Sequence, residues 1–398
     1  MSERFDVLFE GLEEKSALQL VLANPEELSN PVDKYMAATR LGASTTEASL
    51  NVLIEAVGLD PENLFNRITR RKVLEALGRR KDQRALPALF QALSFDDEPA
   101  VVNAVDSIAQ IAAPLEKEQC QQLLHALHGG DNQKRSVIQC HTRLGLSSGS
   151  QAIGTLESDD NPLIAGAALA YAARVNHEQH KLNPLVAQLT DAMAGRRRSA
   201  VIDLGDAGDV SRLDDLIRSP VSMPLRAKSA FQLVDPEKTG DVPEAYAPSI
   251  KRLLQDDPRL LALDPSWISA DGAESIEKNL QHRDEGRQYG GAVQLLQLPE
   301  QQQLAAIDAI HSKFWSDYGA NYLITSVVGL ARLQQRSDLV RTALAETLPQ
   351  YAKSRVAAAW ACLSLKLIDQ VSLLQEIQRS SRWIPLKWSC EQVLKELS

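Results

Sequence analysis

The stretch from Asn66 to Leu93, NRITRRKVLEALGRRKDQRALPALFQAL, divides at Lys81-Asp82 into two amphipathic halves. In the first, Val73, Leu74 and Leu77 share one helical face, while Arg70, Arg71, Arg79 and Arg80 crowd the ends and the opposite face. In the second, Leu86, Leu89, Phe90 and Leu93 repeat the pattern. Neither helix of such a hairpin buries its stripe alone. It needs similar neighbours on both sides, and units with that need come in rows.

The neighbours are present at a fixed spacing. Aligned on the apolar residue before the small terminal position of each first helix, the chain shows Leu77, Ile108, Cys140, Tyr171 and Leu204, at intervals of 31, 32, 31 and 33 residues. The next position reads Gly78, Ala109, His141, Ala172 and Gly205, and the position six before reads Arg71, Val102, Lys134, Ala165 and Arg198. The period is shorter than the roughly 40–47 residues usual for HEAT or armadillo units and near that of helical pairs of about 33–34. The expected fold is all-α, an α-solenoid of HEAT-like helical-pair repeats.

Composition agrees with a packed helical chain. Of 398 residues 44% are hydrophobic and 24% charged, so a large core is within reach, and aromatics are only 5% among many Leu and Ala. The net charge of -9 repels nucleic acid and acidic membrane surfaces, so no nucleic-acid partner is expected. Cys120, Cys140, Cys362 and Cys390 are scattered without metal-ligand spacing and suit a reducing compartment. His125 and His128, and likewise His177 and His180, are three apart but lack a third ligand, so no metal is expected. The opening MSERFDVLFEG is charged and no stretch approaches the ~20 apolar residues of a membrane span, which points to a cytoplasmic protein without membrane insertion.

In chain order, residues 1–30 read as a helical cap broken by Asn24-Pro25 and Asn30-Pro31, and 31–235 as the repeat array. Residues 236–272 read as an irregular Pro-rich connection, and 273–398 as C-terminal helical repeats continuous with the solenoid. All five tryptophans, Trp267, Trp315, Trp360, Trp383 and Trp388, fall after Pro236.

The Asn66–Leu93 hairpin, followed by DDEPAVVNAVDSIAQIAAPL and later by DYGANYLITSVVGLARL, resembles the HEAT-like repeats of cyanobacterial phycobilin lyases of the E/F clan. Within that clan it is most similar to the phycoerythrin α-subunit phycoerythrobilin lyases and lyase-isomerases. The resemblance implies a chaperone-like enzyme. It would bind a linear tetrapyrrole and a phycoerythrin α subunit and direct a cysteine thiol of that client onto the A ring of phycoerythrobilin, forming a thioether. In isomerising members a double bond also moves, giving phycourobilin. The bilin is then substrate, and no permanent cofactor is implied. Without the resemblance, a solenoid lacking a catalytic motif reads as a non-catalytic interaction scaffold or chaperone, and a pure lyase without isomerase activity is a further alternative.

A bilin presents two propionates, a row of pyrrole nitrogens and a flat polarizable surface, so its site needs cationic forks, a carboxylate and aromatic walls. Arg67, Arg70 and Arg71 lie within about one helical turn and are candidates for the propionates; the competing reading makes Arg71 a rung between repeats. Asp97 is a candidate for the pyrrole N–H groups, against helix capping. Cys140 and His141 are the adjacent pair that nucleophilic or proton-transfer chemistry would use. Cys140, however, sits in the apolar column, whereas His141 replaces Gly or Ala and has to face a widened gap. RQYGG and WSDYG supply Arg287, Tyr289, Trp315 and Asp317 as bilin contacts and Tyr318 as a proton donor, against plain packing of aromatics at helix ends.

Overall fold

The computed structural model describes residues 11–235, 241–268, 272–314 and 316–397, with the backbone alone for 272–274. Trp315 and the first ten residues of the expected cap lie outside them. Every regular element among the described residues is an α- or 3-10 helix. None of these helices is long and apolar enough to cross a membrane. Contacts between Cα atoms divide the chain into two compact units between Leu182 and Asn183.

The first unit holds α1 (Glu14–Leu22), α2 (Asp33–Ala43), α3 (Glu47–Ala56), α4 (Leu64–Arg80), α5 (Leu86–Ala92), α6 (Glu98–Ile111), α7 (Lys117–His125), α8 (Asp131–Leu144), α9 (Ser150–Gly154) and α10 (Pro162–Val175). Helices α2, α4, α6, α8 and α10 pack side by side in that order, with α3, α5 and α9 against them. The helix α4 begins at Leu64, two residues before the stretch that opens at Asn66, because the Asn63 side chain accepts from the backbone N–H groups of Phe65 and Asn66. It ends where Lys81 turns left-handed at φ 53°, and Asp82 caps the 3-10 turn that follows. The repeat column falls in the core, with Leu77, Ile108, Cys140 and Tyr171 all buried. The column beside it sets how closely helices approach: a Cβ on Gly78 would lie 2.8 Å from Ser107 Cα. Ser107 Oγ uses that closeness to donate to the Leu74 carbonyl at 2.8 Å.

The second unit holds α11 (Asn183–Gln188), α12 (Ala194–Ala207), α13 (Leu213–Ile217), α14 (Met223–Val234), α15 (Ala247–Gln255), α16 (Gly272–Leu280), α17 (Glu285–Gln297), α18 (Glu300–Phe314), α19 (Tyr318–Leu330), α20 (Ser337–Ala345), α21 (Ala352–Leu365), α22 (Val371–Ser380) and α23 (Ile384–Leu397). Helices α17, α19, α21 and α23 pack in sequence, and α15 lies against α21 and α23. The α15 helix falls inside the stretch read as irregular. Pro248 sits in its first turn, where no N–H is needed, and Ile250, Leu253 and Leu254 are buried. Pro258 and Pro265 likewise open 3-10 turns. These prolines start helical pieces; they do not interrupt them.

Residues far apart in sequence close this unit. Arg197, fully buried, reaches the Asp284 carboxylate and donates to the carbonyls of Asp191 at 2.7 Å and Ala192 at 3.2 Å. Arg198 pairs with Glu285 at 2.7 Å, so the start of α12 is fastened to the start of α17. Gly290 admits the Trp267 backbone: a Cβ there would lie 2.8 Å from the Trp267 carbonyl carbon.

Candidate functional site

The arginines of α4 separate by what each side chain touches. Arg70 is buried, donates from Nε to the Val57 carbonyl at 3.1 Å and stacks its guanidinium 3.8 Å from the Phe95 ring centroid, so it is not available to a propionate. Arg71 makes a bidentate ion pair with Asp97, at 2.7 Å from Nη2 and 3.0 Å from Nε, and Asn103 Nδ2 donates to its carbonyl at 2.9 Å. The rung between repeats is therefore how Arg71 is used here. Asp97 neither caps α6 with its side chain nor offers a free carboxylate, because Arg71 occupies both oxygens. Arg67 is half-buried and has no hydrogen-bond or ion-pair partner among the described residues, so its guanidinium alone stays open to an anion.

Cys140 and His141 are both fully buried. Burial raises the Cys140 thiol far above its ordinary value, which leaves no thiolate for nucleophilic chemistry. The His141 ring does occupy a widened gap, and Gly149 supplies it: a Cβ on Gly149 would lie 2.9 Å from His141 Cδ2. His141 Nδ1 lies 2.9 Å from the Val137 carbonyl, which only accepts, so Nδ1 carries the proton. Nε2 is buried without a partner among the described residues. Burial lowers the pKa of this imidazole, with the Val137 carbonyl opposing. A ring closed off in this way does not touch a substrate, which removes the acid/base role expected of it.

In the second unit the fold brings the two polar-aromatic clusters together. The Gln288 amide lies 3.6 Å from where a Gly319 Cβ would be, which sets the start of α17 beside the start of α19. Arg287 is exposed and has no hydrogen-bond or ion-pair partner among the described residues. Asp317 accepts from the Ala320 N–H at 2.8 Å and caps α19, which is a structural role. Tyr318 is 44% exposed and meets Tyr351 edge to face at 4.9 Å, so it keeps a phenol at the surface.

Tyr289 departs from the bilin-contact role. Its buried hydroxyl accepts from Arg226 Nη2 at 3.0 Å and donates to Asp256 Oδ2 at 2.7 Å. Tyr322 donates to the same oxygen, and Arg226 pairs with Asp256 Oδ1. Arg226 completes the cluster by donating to the carbonyls of Val221 at 2.8 Å and Ile217 at 2.7 Å. Burial first, and then the Asp256 carboxylate, push both phenols well above the ordinary tyrosine value. A charged pair this deep persists because both carboxylate oxygens and all three guanidinium nitrogens have partners. Its effect is to tie α14, α17 and α19 to the left-handed residue that ends α15, Asp256 at φ 46°.

Beside this cluster runs a shallow groove of about 130 Å³, open to solvent, between α19 and α21 and flanked by the end of α15. Ser326, Gly329, Ala357 and Ala361 form its small-residue floor, Trp360 and Leu260 its walls, and Arg252 its rim. Trp360 is held by a 3.1 Å hydrogen bond from Nε1 to Ser389 Oγ. Ser326 is only 7% exposed, and its hydroxyl has no partner among the described residues. Arg252 pairs with Asp214, a side chain 67% exposed. One helical turn before Ala357, Lys353 lies 4.8 Å from the Tyr322 ring centroid, with no ion-pair partner among the described residues. Burial lowers its pKa, against the pull of Asp256, Asp317 and Glu285.

Sequence reading passed over Arg252, Ser326 and Trp360, which line this groove. Spacing offered a signal in Ala357 and Ala361, four apart in the helix that faces Ser326 and Gly329. Arg252 was hidden by the prolines around it.

A family model described as HEAT repeats matches residues 63–140. The chain is 27% identical over 365 residues to an uncharacterized phycocyanin operon protein Y of Pseudanabaena tenuis (strain PCC 7409), a likeness covering 90% of this chain and 86% of that protein. It is 23% identical over 301 residues to the bilin biosynthesis protein CpeY of Synechococcus sp. (strain WH8020), covering 73% and 71%. Among solved structures it is similar to the complex of CpcE and CpcF of phycocyanin lyase from Nostoc sp. PCC7120. The TM-score there is 0.53 at 18% identity, over 61% of this chain and 94% of that chain, a likeness of fold. Together these likenesses bear out the resemblance of the sequence to the HEAT-repeat phycobilin lyases of the E/F type.

Proposed function

We propose that this protein, a HEAT-repeat chain similar to the E/F-type phycobilin lyases, is itself a bilin lyase. It attaches phycoerythrobilin to a cysteine of a phycoerythrin α subunit and isomerises the bilin to phycourobilin. The observation that carries the reading is the likeness to the phycocyanin operon protein Y over 90% of the chain, joined by that to a bilin biosynthesis protein over 73%. Phycoerythrobilin and the phycoerythrin client are what the resemblance carried by the Asn66–Leu115 stretch and the DYGANYLITSVVGLARL run implies. Attachment adds the client thiol across an exocyclic double bond of the A ring: the S–C bond forms and the thiol proton passes to bilin carbon, with no oxidant consumed. Isomerisation removes one proton and returns one elsewhere. Of the residues expected to serve, Arg67, Arg287 and Tyr318 keep accessible functional atoms, and Arg287 and Tyr318, which belong to one unit, are assigned to the bilin.

A second reading, a non-catalytic HEAT-repeat scaffold or chaperone, draws on the burial of Cys140 and His141 and on the occupied Asp97 and Tyr289. Co-expression with a phycoerythrin α subunit and phycoerythrobilin biosynthesis separates the two. The lyase yields a covalently coloured subunit that survives denaturation. An absorption band at the shorter urobilin wavelength reports isomerisation, one at the erythrobilin wavelength attachment alone, and a colourless subunit leaves the scaffold.

A further inference from the structure

We infer that Tyr351 is a positioning residue, whose ring holds the Tyr318 phenol at the surface ready to donate to a ligand. The inference rests on the assignment of Tyr318 to the bilin above; what it adds is the device that aims the phenol. Tyr318 opens α19 with 44% of its surface exposed, where a tyrosine side chain is ordinarily free to change rotamer. Two contacts remove that freedom. Asp317 fixes the backbone by capping the helix, accepting from the Ala320 N–H at 2.8 Å. Tyr351 meets the ring at 4.9 Å between centroids and 85° between planes, the edge-to-face arrangement that aromatic quadrupoles favour.

Tyr351 itself stands on a turn with little freedom. Glu346 accepts from the backbone N–H groups of Thr347 at 2.8 Å and Leu348 at 3.0 Å. Pro349 then opens the 3-10 turn Pro349–Tyr351 with its φ fixed, and the Tyr351 N–H donates to the Leu348 carbonyl at 3.0 Å. Burial, then Glu346 and Tyr318, raise the Tyr351 pKa, so the ring that faces Tyr318 stays neutral. The hydroxyl of Tyr318 is left with a proton to give. Gln350 Nε2 donates to its oxygen across a long 3.5 Å, and its own O–H has no acceptor among the described residues. One turn along the same helix, Tyr322 gives its proton to Asp256 instead. The terminal lactam carbonyls of a linear tetrapyrrole are acceptors of the kind that the Tyr318 phenol lacks.

The test is a titration of the full chain with biliverdin, followed by its visible absorbance. Tyr318→Phe, which removes the hydroxyl alone, is expected to weaken binding about fivefold, the loss of one hydrogen bond. Tyr351→Ala is expected to weaken it equally, and Tyr351→Phe, which keeps the ring, to restore the affinity of the unsubstituted chain. The double variant Tyr318→Phe, Tyr351→Ala should be no weaker than either single one, because both act through the same hydroxyl. If Tyr351→Ala fails to fold, Tyr351→Leu fills the turn without an aromatic ring and is expected to show the same loss. Unchanged affinity in Tyr318→Phe or in the ring-deleted variant overturns the inference while the bilin reading survives. So do losses that multiply in the double variant, or a Tyr351→Phe as weak as Tyr351→Ala. Absence of biliverdin binding by the unsubstituted chain overturns both.

Discussion

His141 shows how much a single position changes between sequence and structure. In the repeat alignment it is the odd residue of a small-residue column; in the fold it is a closed-off ring with Nδ1 bonded to Val137 and Nε2 unpartnered. Burial holds its folded pKa below the ordinary 6.5. As pH falls through that value the unfolded chain takes up a proton that the native ring refuses. Stability is therefore fully present above about 6.5, declines below it, and levels off beneath the native pKa. The decline from this one group is at most about 1.4 kcal/mol per pH unit. Urea midpoints measured from pH 7.5 to 5 should fall less steeply in His141→Gln than in the unsubstituted protein. Identical slopes would show that the ring is not held neutral.

At the scale of elements, the interval between repeats is decided by how near one helix comes to the next. Gly78 permits the approach that lets Ser107 Oγ reach the Leu74 carbonyl, and the Ser107 backbone on the far side cannot retreat as a flexible side-chain tip would. Gly78→Ala should therefore destabilise the first unit by about 1–3 kcal/mol through overpacking, even though alanine is the better helix former. A urea midpoint at or above that of the unsubstituted protein would mean that α4 and α6 are not so closely set. Helix existence was legible in the apolar periodicity from α2 to α8. Starts were less so, because a cap such as Asn63 recruits residues the stripe does not include. The α15 helix was missed because its prolines read as breakers, yet a proline in the first turn has no hydrogen bond to lose.

For the whole molecule, the accessible candidates lie in different units, Arg67 in the first and Arg287 with Tyr318 in the second, so a bilin should be felt unevenly. Biliverdin at about 100 times its Kd adds about 2.7 kcal/mol to the state that binds it. For a unit of this size that corresponds to a Tm rise of roughly 5–10 °C. Hydrogen exchange at saturation should slow at the starts of α17 and α19, beside Arg287 and Tyr318, and stay unchanged in α4. Slowing centred on α4 would assign the bilin to Arg67 instead.

What the sequence determined by itself is the helical-pair architecture, its period, and the buried column from Leu77 to Tyr171. These depend on local periodicity, and each repeat restates them. The burial of Cys140 was legible for the same reason. The tertiary structure decided which polar side chains are free. Arg70 and Arg71 look equivalent along α4, and only the placement of Phe95, Val57 and Asp97 shows that both are occupied. Tyr289 and Tyr318 look equally exposed in RQYGG and WSDYG, until Asp256 and Arg226, 33 and 63 residues from Tyr289, close over the first and leave the second at the surface. Whether a charge is available depends on partners that arrive from distant segments, and no local pattern carries that information.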